Sequence, residues 1–97
     1  MNEVYSVPQI RSLMLPVLTE YNIRRAVLFG SYGKNCATPD SDIDLLVDSG
    51  LRGLKFVALL DKLQTALGKD VDLFDTTHII PGSEIDREIR RTGVELL

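Results

Sequence analysis

Cysteine is almost missing from this chain, since Cys36 is the only one among 97 residues. That excludes an intrachain disulfide and a zinc site built from several thiolates of one chain, and it suits a reducing compartment. Long apolar runs are missing too. No stretch approaches the roughly 18 to 20 consecutive apolar residues that cross a bilayer, and the start, with Glu3, lacks the basic-then-apolar pattern of a secretory signal. A cytoplasmic protein with no membrane attachment is expected. The third absence is an excess of basic residues. Eleven Lys and Arg face fourteen Asp and Glu for a formal charge of −3, and the cations are scattered. Direct binding of bulk nucleic acid, which needs a basic stripe, is disfavoured. A phosphate-bearing ligand on so acidic a chain calls for a divalent cation held by clustered carboxylates.

The composition that remains, 44% apolar and 26% charged, is that of an ordinary globular protein, and the length accommodates one domain over residues 1–97. Ile10, Leu13, Met14, Val17, Leu18 and Tyr21 recur at helical spacing behind a Ser6/Gln9 capping box, which predicts a first helix over 8–21. Pro16 lies inside it, and a kink or break near Leu15 is expected from the lost N–H and the ring clash. The runs 25–29 and 43–47 read as buried strands separated by a polar loop. Phe56, Leu59, Leu60, Leu63 and Leu67 form a second helical stripe closed by Gly68. A third strand is expected over 71–74, and Ser83 with Asp86 opens a last helix in which Ile85 and Ile89 share a face. The first two strands are too close in sequence for a crossover helix and should pair antiparallel, whereas the second helix can bridge strands two and three in parallel. The expected fold is α/β in the α+β sense, a small mixed sheet flanked by helices.

Two carboxylates stand out on the second strand. Side chains two apart on a strand share a face at about 6.6 Å, so Asp42 and Asp44 would point one way and Ile43, Leu45 and Val47 the other. Carboxylates placed this close repel, and such a pair persists mainly around a cation. Asp72, between Val71 and Leu73, could join them from a neighbouring strand. Three such carboxylates suit two magnesium ions about 3.5 to 4 Å apart and imply nucleotidyl transfer, with Asp72 as the candidate acceptor of the attacking hydroxyl's proton. Gly30 and Ser31 end the first strand, where a residue without a side chain lets backbone approach a ligand, successive N–H groups can cradle phosphate and Ser31 adds a hydroxyl. Lys34 could bring a mobile positive charge to a triphosphate, and a solvated loop lysine fits it equally well.

Gly30-Ser31, ten residues, then Asp42-Ile43-Asp44 resembles the GSX10DXD signature of the polymerase-beta-like nucleotidyltransferase superfamily. Leu28-Phe29-Gly30-Ser31, the segment from Ala37 to Val47 and Val71-Asp72-Leu73 are similar to the minimal nucleotidyltransferase (MNT) group. So are Ile85 to Arg91 and the tail Gly93-Val94-Glu95-Leu96. The resemblance implies the nucleotidyltransferase fold, ATP as substrate and Mg2+ as cofactor, with Asp42, Asp44 and Asp72 as metal ligands and Gly30, Ser31 and Lys34 at the nucleotide. It also implies a partner, a HEPN-domain ribonuclease toxin that the small protein neutralises by moving AMP from ATP onto a tyrosine hydroxyl. Two other readings stay open: an antitoxin that inhibits by binding alone, and the nucleotide-binding subunit of a two-protein transferase for small molecules. Homo-oligomerisation is a further possibility. The loop departs from the family where Asn35 follows Lys34 in place of glycine, a substitution that asparagine tolerates because it adopts positive φ more readily than other side chains.

Plainer explanations compete at several positions. An isolated Asp-x-Asp pair is common on a solvated strand edge, and here the glycine-serine spacing tips the balance toward function. Asp40, Asp42 and Asp44 alternate as in a calcium loop, but Leu45 and Leu51 occupy its glycine and terminal glutamate positions. Asp70 reads as a solvated residue at a strand entrance, His78 as a surface or capping residue, and Cys36 as a small side chain. Arg87, Arg90 and Arg91 read as a solvated helix face or as contacts to an acidic partner.

Overall fold

The structure, a computed structural model, describes residues 4–97. Helix α1 spans Val7–Glu20, and its first turn is closed by the expected box: Ser6 Oγ accepts from the Gln9 amide while Gln9 Oε1 accepts from the Ser6 amide at 2.8 Å. It runs through Pro16 without a break. Pro16 and Ser12 both lie on the exposed face, so water can satisfy the Ser12 carbonyl that Pro16 cannot serve. Strand β1 (Arg25–Phe29) leads into the single-turn helix α2 (Gly30–Gly33), then a loop, then strand β2 (Ile43–Asp48). Helix α3 (Leu54–Leu67) ends at Gly68 in the left-handed conformation, φ 66°, as its sequence predicts. Strand β3 (Val71–Asp75), a 3-10 turn at Thr76–His78, helix α4 (Glu84–Thr92) and the two-residue strand β4 (Val94–Glu95) complete the order.

The sheet order is β3-β2-β1-β4. β1 and β2 pair antiparallel, β2 and β3 parallel through α3, and β4 adds antiparallel to β1. The first two pairings are those the connection lengths require. Neither α2 nor β4 is visible in the periodicity, because one turn and two residues are both shorter than a repeat. Leu96, directly after β4, anchors that short strand. It is 2% exposed, donates its amide to Ala26 O at 2.8 Å, and accepts Arg11 Nε on its carbonyl at 2.9 Å.

Alternation along the strands divides the molecule. Ala26, Leu28, Ile43, Leu45, Val47 and Val71 face α1 and α3 and form the main core with Ile10, Met14, Leu59 and Leu63. Val27, Phe29 and Leu46 face the other way and meet Ile89 of α4, with Phe74 and Ile79 packed against them. One face is thus covered by two helices of fourteen residues each, the other by α4 alone. The acidic side chains emerge on the lightly covered face.

Behind β3 a polar knot joins two loops. Asp75, 2% exposed, accepts from Ser49 Oγ at 2.6 Å, Thr77 Oγ1 at 2.7 Å, the Thr77 amide at 3.0 Å and the Ser49 amide at 3.1 Å. Burial alone would raise its pKa, but these four bonds outweigh it and hold the carboxyl down at about 2. His78 Nδ1 accepts the Asp75 amide at 3.1 Å, which makes it a capping residue.

Candidate active site

Asp44 and Asp72 are direct partners in the parallel register of β2 and β3, so their side chains leave the sheet side by side on the same face. Asp44 is partly buried and Asp72 exposed. Burial raises the Asp44 pKa first, then the charge of Asp72 and a hydrogen bond with its carboxyl, with smaller contributions from Asp42 and Glu88, and together they bring it to about 6. Two acids in contact cannot both ionise at their usual cost.

Gly30 forms the wall beside them. Its φ is +72°, and a Cβ there would overlap Asp44 Oδ2, so both the backbone turn and the carboxylate packed on it require glycine. Its amide donates to Thr92 Oγ1 at 2.9 Å, and the same hydroxyl donates to Glu88 O at 2.7 Å. The Gly30 N–H is therefore engaged inside the protein rather than aimed outward, and what this residue contributes to the surface is its bare α-carbon. Ser31, partly buried, opens the turn immediately after it.

Asp42 lies just ahead of the paired strand. The strand begins at Ile43, and Asp42 is exposed at its lip, where it lines an open groove with Asp61, Gln64, Lys69 and Asp70. Its charge still reaches Asp44, whose pKa it helps to raise. Among the described residues no three His, Cys, Asp or Glu side chains are drawn closely enough together to enclose a metal ion. The donors are nevertheless all hard oxygens, the set that suits magnesium. Lys34 Nζ lies 3.8 Å from Glu88 Oε1, and Asn35 takes the positive φ expected of it, 61°.

Glu88 and Thr92 escape the sequence reading, which weighs α4 by its arginines and isoleucines. They sit four apart, on one helix face. A signal was available in Gly33. A Cβ on Gly33 would overlap Thr92 O, so this glycine marks the close approach of α4 to the turn.

This fold has known counterparts. The model of the family described as polymerase beta, nucleotidyltransferase matches residues 14–97, and the chain belongs to that family. A protein of Methanocaldococcus jannaschii named as a putative protein adenylyltransferase is 36% identical over 78 residues, which cover 78% of this chain and 84% of the relative. Among solved structures, a chain of a toxin-antitoxin complex with AMP-PNP superposes with a TM-score of 0.73 at 27% identity, covering 90% of this chain and 72% of that one. A chain of the tri-AMPylated HEPN toxin of Shewanella oneidensis in complex with its MNT antitoxin gives 0.68 at 25% identity, over 94% and 71%.

Proposed function

We propose that this protein transfers AMP from ATP to a hydroxyl of a HEPN-type toxin, a tyrosine by the family resemblance, and thereby acts as an antitoxin. The observation that carries the reading is the Asp44–Asp72 pair, set in register on adjacent parallel strands against the bare α-carbon of Gly30. The relative named as an adenylyltransferase and the solved complexes with AMP-PNP and with an AMPylated toxin support it.

In this reading the acceptor hydroxyl attacks the α-phosphorus, the bond to pyrophosphate breaks, and the hydroxyl proton passes to Asp72, the exposed member of the pair. Asp44, fixed by Gly30, orients the pair. The Ser31 hydroxyl donates to a phosphate oxygen, and Lys34 turns from Glu88 to the polyphosphate, exchanging an exposed ion pair of little net worth for a stronger one. Asp42, Asp44 and Asp72 would hold Mg2+. When bound it supplies Lewis acidity and neutralises charge on the phosphates.

The test is incubation of the chain with its HEPN partner, each nucleoside triphosphate and magnesium, followed by intact mass. One or more AMP units should appear on the partner with ATP, and none with D44N or D72N. A stable complex without any mass gain would replace catalysis by steric inhibition.

A further inference from the structure

We propose that Thr92 is a positioning residue for nucleotide binding, one that holds the Gly30-Ser31 turn in register with Asp44 through a single bifunctional hydroxyl. The inference rests on the nucleotidyl-transfer reading above and adds to it a residue outside the Gly-Ser and Asp-x-Asp motifs.

Three observations carry it. First, the Thr92 side chain, 6% exposed, accepts the Gly30 amide at 2.9 Å and donates its own proton to Glu88 O at 2.7 Å. A hydroxyl can do both at once, whereas a methyl can do neither. Second, the contact is tight, since Gly33 of α2 has no room for a Cβ against Thr92 O. The last turn of α4 is thereby pressed onto α2 with a glycine at the contact. Third, the residue so held is the one on which the Asp44 carboxylate rests, with a positive φ that it does not adopt for want of alternatives. A polar tether explains why that conformation persists.

Without the hydroxyl, the Gly30 amide would be left buried and unpaired, a loss that favours rotation of the peptide toward another acceptor. Rotation would displace Ser31 and withdraw the wall behind Asp44. An error of about 1 Å in such groups is enough to cost up to 100-fold in function.

Thr92→Val keeps the shape and removes both hydrogen bonds, while Thr92→Ser keeps both. Titration with AMP-PNP and magnesium by calorimetry, well below the melting temperature of each variant, should show about tenfold weaker binding for T92V and a value within twofold of wild type for T92S. In the ligand-free protein the Gly30 amide should exchange with solvent at least tenfold faster in T92V than in wild type or T92S. A T92V protein that melts earlier yet binds AMP-PNP as wild type does would make Thr92 purely structural and overturn the proposal. Equal weakening by T92S and T92V would overturn it as well. If wild type binds no nucleotide at all, the transfer reading itself fails, and this inference falls with it.

Discussion

Asp44 is expensive to the fold and necessary to the proposed chemistry. Its folded pKa, about 6, lies above the ordinary carboxylate value, so the stability it contributes is full below about pH 4 and is lost as pH rises through 6. The shift corresponds to about 3 kcal/mol, which solvent screening of a partly exposed group reduces to roughly 1 to 2. Asp44→Asn should therefore melt higher than wild type at pH 7, match it near pH 4 and transfer no AMP. A thermal-shift series across that range checks the sign, and equal melting temperatures at pH 7 would refute it. Tyr32 makes a simpler case. Its ring is 2% exposed and its hydroxyl has no hydrogen-bond partner among the described residues. A buried hydroxyl in that state costs about 1 to 3 kcal/mol in desolvation, so Tyr32→Phe should leave stability unchanged or raise it. Urea denaturation decides, and a loss above about 1 kcal/mol would reveal a bond to that oxygen.

Among the elements, Pro16 shows where local rules stop. Its sequence predicts an interruption, and the helix continues because Ile10, Met14, Val17 and Leu18 anchor it on both sides of the proline while the orphaned Ser12 carbonyl faces water. The cost remains even though the break does not. Pro16→Ala should stabilise the protein by about 1 to 3 kcal/mol, the missing helical bond less the entropy that proline removes from the unfolded chain. Chemical denaturation checks this, and a neutral or destabilising result would show that the proline shapes the helix for packing. The long elements were legible because each repeats its pattern several times: α3 from five apolar residues and a terminal glycine, β2 from an apolar run, and both strand pairings from connection length. The carboxylates of β2 and β3 were legible for a related reason, since charge inside an apolar strand conflicts with its surroundings. Glu88 and Thr92 were not, because their meaning depends on a contact between residues about sixty apart in sequence, Gly30 and Thr92.

For the whole molecule, the buried carboxylate of Asp75 is a source of acid sensitivity. Asp75 joins the end of β3 to the loop after β2, and its folded pKa, about 2, lies below the unfolded value. The stability it provides is present above about pH 4 and is lost as pH falls through 2. Asp75→Asn should lower stability at pH 7 by about 2 kcal/mol and flatten the acid limb of the pH profile. Circular dichroism at pH 7 and pH 3 tests both. Along β2 the residues at 43, 45 and 47 belong to the main core, while Asp44 between them belongs to the site, and on β3 Val71 and Asp72 repeat the division. A slip of β2 by one residue would turn Ile43, Leu45 and Val47 out of the main core and drive Asp44 into it. Folding therefore proofreads catalysis: the registers that would misplace Asp44 are the ones that cannot form a stable core, and mispaired copies of this protein should unfold rather than accumulate as inactive native-like forms.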